Sequence, residues 1–248
     1  MSNFLKDRKS IRDYKKKKLD EKARKNLLAI FKELEREVNN NYFEFILFED
    51  GYKIYRSLDG IAGYSGVMIE SPHYIGIRLK EVTEESIIQA SYYTEKLMTR
   101  LTKLNLGSCW ISVKDVNKNI KANILGDENK NIGYLVALGY PKARNPFAQE
   151  TTSSRHGLEY FVFKDQIGKV ISLEELENRG LDDLFYYIRF APSNYNKQPW
   201  RFVLEDDKVV LLLEYSEDSK TDLMDAGIIM YYFEVLAEVI GLNNKWKN

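Results

Sequence analysis

Apolar residues recur at helical spacing through Leu19–Val38, where Leu27, Leu28, Phe31, Leu34 and Val38 are separated by charges. Such a stripe predicts an amphipathic helix. The pattern then changes to strand-like runs, "YFEFILFED" (Tyr42–Asp50) with "YKIYRSL" as its expected hairpin partner, and "HYIGIRLK" (His73–Lys80). Thr83, Glu85 and Ser86 open a long helix reaching about Leu104. "CWISV" reads as a short strand, "NKNIKANILG" as a short helix closed by Gly126, and "NIGYLVALGYP" (Asn131–Pro141) as an apolar strand. The segment from Lys142 to Leu158 is polar and loop-like. "SLEELENRG" and "LDDLFYYIRF" read as helices, the second ending before Pro192, because a residue preceding proline is pushed out of the α region. "WRFVLED" and "KVVLLLEY" form a hairpin around Asp206-Asp207, and a last helix, Lys220–Ile240, stops at Gly241. Helices alternating with hairpin-like strands predict an α+β fold with mixed or antiparallel sheets, in preference to a doubly wound parallel one.

Two long helical segments echo each other. "QASYYTEKLMTRLTKLNLGSCW" (Gln89–Trp110) aligns without a gap to "DAGIIMYYFEVLAEVIGLNNKW" (Asp225–Trp246). Ala90 meets Ala226, Leu104 meets Ile240, Leu106 meets Leu242 and Trp110 meets Trp246. Read as function rather than as a shared amphipathic pattern, the echo is a duplication, two halves packing in one chain as a symmetric homodimer would.

Composition narrows the chemistry. The 248 residues carry 37 basic and 37 acidic side chains, so no basic excess serves general nucleic-acid binding. The run Lys15–Lys18 is either a solvated loop or a contact for an anionic ligand. One cysteine, Cys109, rules out a disulfide framework or cysteine cluster within this chain, and two histidines, His73 and His156, make a histidine-rich metal site improbable. No apolar run approaches the ~18 residues of a membrane span, no secretory leader is visible, and a reduced cytoplasmic setting is expected. There is no G-x-G-x-x-G after a strand and no phosphate-binding P-loop motif.

Four segments carry candidate chemistry. In "RKSIRDY", extended chain puts Arg8, Ser10 and Arg12 on one side, a donor set suited to phosphate. In "LGSCW", Gly107 allows either a left-handed helix cap or a close backbone approach, with Ser108 next to it. In "ALGYPKARNP", a strand ends at Gly139 and the cations Lys142 and Arg144 follow. In "APSNYNKQPW", Pro192 and Pro199 stiffen a turn whose Asn196 and Gln198 amides suit a flat, hydrogen-bonding ring.

Together these segments resemble the nitroreductase family of FMN-dependent flavoenzymes, the last being close to that family's Ala-Pro-Ser-x-x-Asn-x-Gln-Pro-Trp signature. The motifs span residues 8 to 200. In ordinary members the Gln-Pro-Trp loop soon follows the Arg-Ser-x-Arg motif, whereas that place here reads "VNNNYFEFILFE". The displaced loop and the helix echo resemble the fused-pseudodimer, TM-nitroreductase-like branch: a nitroreductase-like fold of two pseudo-repeats packed as an internal dimer. The resemblance implies a first half, residues 1–165, supplying the phosphate end of the FMN site, and a second, 166–248, delivering the amide loop across an internal interface. The implied cofactor contacts are Arg8, Lys9, Ser10, Arg12, Gly107, Ser108, Gly139, Lys142 and Arg144 from the first half, and Pro192, Ser193, Asn194, Asn196 and Gln198 from the second. One FMN per chain is implied. It takes hydride from NADH or NADPH at N5 and passes electrons to a small-molecule nitroaromatic or quinone-like acceptor in ping-pong turnover, with no catalytic side chain required. Structural roles are expected for Tyr92, Tyr93, His73, His156 and Cys109. The chain is expected to be a monomer that mimics the family homodimer, with no nucleic-acid or membrane partner. Two other readings stay open: a flavin-binding carrier or sensor without turnover, and a same-fold flavoenzyme of different chemistry, such as reductive dehalogenation or flavin breakdown.

Overall fold

Asp20 turns the first amphipathic stripe into helix α1 (Glu21–Glu37): its carboxylate accepts the Ala23 amide at 2.8 Å, while Leu27, Phe31 and Leu34 enter the core. The computed structural model describes residues 4–5, 8–64, 66–143, 154–214, 220–242 and 245–247. Packing divides the chain into two compact units, Asn3–Ser86 with Lys96–Ala148 (the N-terminal unit) and Ile87–Glu95 with Gln149–Asn248 (the C-terminal unit).

The N-terminal unit is built on four strands, β1 (Phe43–Phe48), β2 (His73–Leu79), β3 (Gly107–Ser112) and β4 (Tyr134–Gly139). They pair antiparallel throughout, in the order β1-β2-β4-β3. The expected partner of β1, "YKIYRSL", is instead helix α2 (Gly51–Leu58), and β1 pairs with β2. Asp50 caps α2 through the Lys53 amide, and burial of Gly51, Ile54 and Leu58 at helical spacing overrides the β-propensity of its tyrosines and isoleucine. Thr83 caps α3 (Glu84–Thr102) by accepting the Ser86 amide at 3.1 Å, as the sequence predicts. Helix α4 (Lys118–Leu125) closes at Gly126, with φ of 98°.

His73 opens β2 buried, and its Nε2 accepts the Leu19 amide at 3.0 Å, which leaves the proton of the neutral ring on Nδ1. Burial pulls its pKa below the usual histidine value. The unfolded ring takes up its proton at about pH 6.5. Between that pH and the lower folded value the unfolded state holds more protons, so stability drops as the pH drops there and is flat above. Denaturant midpoints measured from pH 7.5 to 5 should therefore decline below about pH 6.5, and a smaller decline is expected in His73→Leu. An equal decline in that variant would assign the effect to other groups.

The C-terminal unit holds α5 (Leu158–Phe161), β5 (Val162–Lys164), α6 (Leu173–Asn178), α7 (Asp182–Ile188), β6 (Trp200–Leu204), β7 (Val209–Leu213) and α8 (Lys220–Val239). The expected hairpin is present, with Trp200 opposite Leu213 and Leu204 opposite Val209. Strand β5, absent from the sequence expectation, adds in parallel to β6, so this sheet is mixed. Phe202 stacks on Phe233 with 5.7 Å between ring centroids and meets Phe185 edge-on at 5.3 Å, which pins β6 to α7 and α8.

The gapless match that sets Ala90 opposite Ala226 also sets Ser91 opposite Gly227, and these two positions touch. A Cβ on Gly227 would lie 2.0 Å from Ser91 Oγ and 2.2 Å from the Ile88 carbonyl oxygen. Tyr92 completes the crossing, donating to Glu234 and meeting the Tyr231 ring edge-on at 5.3 Å. The echo ends with the helices: Trp110 lies in β3, whereas Trp246 follows α8 and donates to the Met230 carbonyl at 3.1 Å.

Candidate functional site

In the N-terminal unit, an extended segment runs past the glycine end of the sheet. Ser10 bridges Ser108 in parallel, and Tyr14 bridges Pro141 antiparallel. The Ile11 amide donates to the Ser108 carbonyl at 3.0 Å, Lys15 to Tyr140 at 2.8 Å, and Lys142 to Asp13 at 3.1 Å. Gly107 and Gly139 face each other across β3 and β4. A Cβ on Gly107 would meet Ile11 at 2.8 Å, and one on Gly139 would meet Tyr14 at 3.0 Å. Of the two readings of Gly107, the close approach is therefore realised. The left-handed position after α3 is taken by Asn105, with φ of 56°.

This docking gathers Arg8, Lys9, Ser10, Arg12, Gly107, Ser108, Gly139 and Lys142 at one end of one sheet. Their environments differ. Arg8 is 7% exposed, with Nη2 at 3.5 Å from Met98 Sδ. Ser108 is buried, Lys9 and Ser10 are half-buried, and Arg12 is exposed. Lys142 is solvated and has Asp13 at 3.7 Å, a pairing that solvent screening leaves weak. Arg144 lies outside the described residues.

Pro192, Ser193, Asn194, Asn196 and Gln198 come together in the C-terminal unit. Between α7 and β6 the chain makes a short turn in which Tyr195 (φ 51°), Asn196 (φ 56°) and Gln198 (φ 52°) are all left-handed. Each such residue costs on the order of 1 kcal/mol, and such strain concentrates at functional sites. The turn is held from several sides. Both carboxylate oxygens of buried Asp225 accept the Asn194 amide, at 3.0 and 3.2 Å, and Ser193 Oγ accepts the Gln198 amide at 3.0 Å. Gln198, 3% exposed, accepts the His156 amide through Oε1 at 3.1 Å and donates Nε2 to the Asn196 carbonyl at 3.1 Å. Asn196 Nδ2 donates to the Ser154 carbonyl at 2.8 Å. Both amides that the sequence singles out thus grip residues 154–156.

That grip brings in a residue the sequence reading missed. Arg155 donates through Nη1 to Asn196 Oδ1 and through Nη2 to the Phe190 carbonyl at 3.4 Å. Its Nε is buried with no hydrogen-bond partner, and among the described residues no carboxylate pairs with it. Burial lowers its pKa from the usual arginine value. A half-buried guanidinium with an unused donor and no counter-ion suits an anionic ligand group. Its signal in "TTSSRHGLE" is only a lone cation in a polar run; the contacts that define it come from residues 35 and 41 positions away. His156 stacks on Tyr160 with 4.1 Å between ring centroids, and the Arg201 guanidinium lies 4.1 Å from the centroid of the same ring. Among the described residues no three His, Cys, Asp or Glu side chains form a metal set, and no helix is long and apolar enough to cross a membrane.

The family described as "Putative TM nitroreductase" matches residues 1–237. No curated protein matches the sequence. Among solved structures, a "putative nitroreductase" from Thermotoga maritima is 17% identical, with a TM-score of 0.64, over 100% of this chain and 89% of that one. Nitroreductase A from Vibrio parahaemolyticus is 12% identical, with a TM-score of 0.53, over 75% of this chain and 86% of that one. At these identities the likeness establishes the fold: α+β, with antiparallel and mixed sheets flanked by helices, as the sequence predicts.

Proposed function

The chain belongs to the TM nitroreductase family, and from that premise we propose that it is an FMN-dependent NAD(P)H oxidoreductase reducing nitroaromatic or quinone-like acceptors. The observation that carries this reading is the strained Ser193–Gln198 turn with Arg155, which no carboxylate pairs among the described residues, bonded to it. The two residue sets differ in chemistry, one suited to a phosphate and the other to a flat, hydrogen-bonding ring. Arg8, Ser10, Arg12 and Lys142 offer cations and a hydroxyl for the phosphate, with the Gly107–Ser108 backbone beside them. Ser193, Asn196 and Gln198, whose side chains are bonded within the turn and to residues 154–156, would shape the surface for the ring's polar edge, and Arg155 offers a guanidinium for negative charge. Bound FMN would supply two-electron hydride chemistry, and these side chains would hold and orient it. One FMN per chain is part of the proposal. The contact of Ser91 with Gly227, equivalent positions in the echo, supports internal duplication, because a twofold relation brings equivalent residues together. A cytoplasmic monomer completes the proposal.

The purified protein should be yellow, with one flavin per chain on denaturation. Anaerobic NADH or NADPH should bleach it, and a nitroaromatic should restore the colour. A yellow protein inert to both nicotinamides would be a carrier rather than an enzyme. A colourless chain that refuses FMN would end the proposal.

A further inference from the structure

The C-terminal unit carries an exposed aromatic cluster that the flavin reading leaves unused. At the end of α7, Tyr186 and Phe190 are one helical turn apart, 44% and 40% exposed, with ring centroids 6.1 Å from each other. Arg189 lies against both: its Cζ is 4.3 Å from the Tyr186 centroid and 5.2 Å from that of Phe190. Arg189 Nε is buried without a hydrogen-bond partner. Among the described residues no carboxylate pairs with Arg189, Arg155 or Lys197. Three cations therefore stand unneutralised around one turn. The cluster is continuous with the candidate site, because the Phe190 carbonyl accepts from Arg155, which also holds Asn196.

Exposed rings sharing a guanidinium have a defined complement. The rings offer faces on which a flat heterocycle stacks, and the guanidinium adds both a planar face and a donor fork for phosphate. A planar base joined to phosphate is a nucleotide, and in a nicotinamide dinucleotide the half that does not react carries adenine. We propose that Tyr186, Arg189 and Phe190 dock the adenosine diphosphate part of the nicotinamide co-substrate. This rests on the NAD(P)H reading above and adds to it the place where the non-reacting half of the dinucleotide is gripped. Remote contacts of this kind contribute binding energy that positions the reacting end.

The test is calorimetric titration of the purified full chain with ADP, with flavin content measured on the same samples. The wild type should bind ADP more tightly than adenosine. Arg189→Ala and the pair Tyr186→Leu with Phe190→Leu should each weaken ADP binding about tenfold or more, the usual scale for losing a stacked base contact. The KM for NAD(P)H should rise in step, with flavin content unchanged. If Arg189→Ala fails to fold, Arg189→Lys, which keeps the charge and loses the planar stack, carries the comparison and should also weaken ADP. Equal ADP affinity in wild type and variants, or no ADP binding by the wild type at millimolar ADP, overturns the platform. So does conversion of a dimer to a monomer by these variants with ADP affinity unchanged, which would assign the patch to a second copy of the chain. ADP binding without flavin would sink the oxidoreductase reading and keep the platform; flavin reduction with ADP insensitive to the variants would do the reverse.

Discussion

Gly227→Ala should lower the thermal midpoint of the protein by several degrees, and Gly227→Val should leave little folded chain. An added Cβ at this position would lie 2.0 Å from Ser91 Oγ, 2.2 Å from the Ile88 carbonyl oxygen and 2.8 Å from the Tyr92 amide nitrogen. The serine can rotate away, but the other two atoms are backbone of α3. Relief therefore requires α3 and α8 to separate, which strains the Tyr92 bond to Glu234 and the edge contact with Tyr231. Overpacking of this kind costs about 3 kcal/mol. Alanine regains about 1 kcal/mol over glycine in a helix interior. The net loss of about 2 kcal/mol corresponds to a drop of roughly 4–8 °C for a chain of this size. Valine adds a branched side chain against the same backbone. Scanning calorimetry checks the ranking, and Ser91→Gly should rescue Gly227→Ala only in part, because the Ile88 carbonyl remains. A Gly227→Ala protein melting at or above the wild type would show that the crossing is looser than these distances.

The same crossing shows what the sequence could and could not reveal. The echo of the two helices was legible because apolar spacing repeats without a gap. That Gly227 touches its own counterpart was not, since contact between segments 136 residues apart leaves no local trace. Local signals served well where local physics decides: the apolar stripe placed α1, and Thr83 predicted the start of α3. They misled at "YKIYRSL", where tyrosine and isoleucine read as strand until the Asp50 cap and the burial of Ile54 and Leu58 are known. They were silent at Val162–Lys164, a strand of three residues whose parallel partner is 40 positions away.

The candidate site divides along the same line. Arg8, Ser10, Gly107, Gly139, Asn196 and Gln198 stand in motifs and were named from residue type and order. The close approach that explains Gly107 and Gly139 needed the path of the N-terminal segment past them. Arg155 and Arg189 were missed because a lone arginine in a polar or aromatic run has no pattern; its meaning lies in what does not neutralise it. For Asn196 and Gln198 the structure adds a second role. The sequence offered their amides to a ligand, and the structure adds that they anchor residues 154–156 and, with them, the Arg155 guanidinium.

That double duty sets the outcome for the amide turn. Removing both side chains, as Asn196→Ala with Gln198→Ala, should weaken FMN binding by about tenfold or more, at about 1 kcal/mol per hydrogen bond lost. Alanine changes two things at once, however. Asn196 and Gln198 sit at φ of 56° and 52°, where alanine is strained by on the order of 1 kcal/mol per residue and glycine is not. The pair Asn196→Gly with Gln198→Gly deletes the same amides without that strain. It should therefore melt higher than the alanine pair and lose FMN to the same degree. Fluorescence titration of free FMN against each protein separates the cases. Equal loss in both pairs assigns the effect to the amides and the Arg155 they hold. Loss in the alanine pair alone assigns it to backbone geometry. Unchanged affinity in both makes the turn structural, and would leave the cofactor to residues outside it.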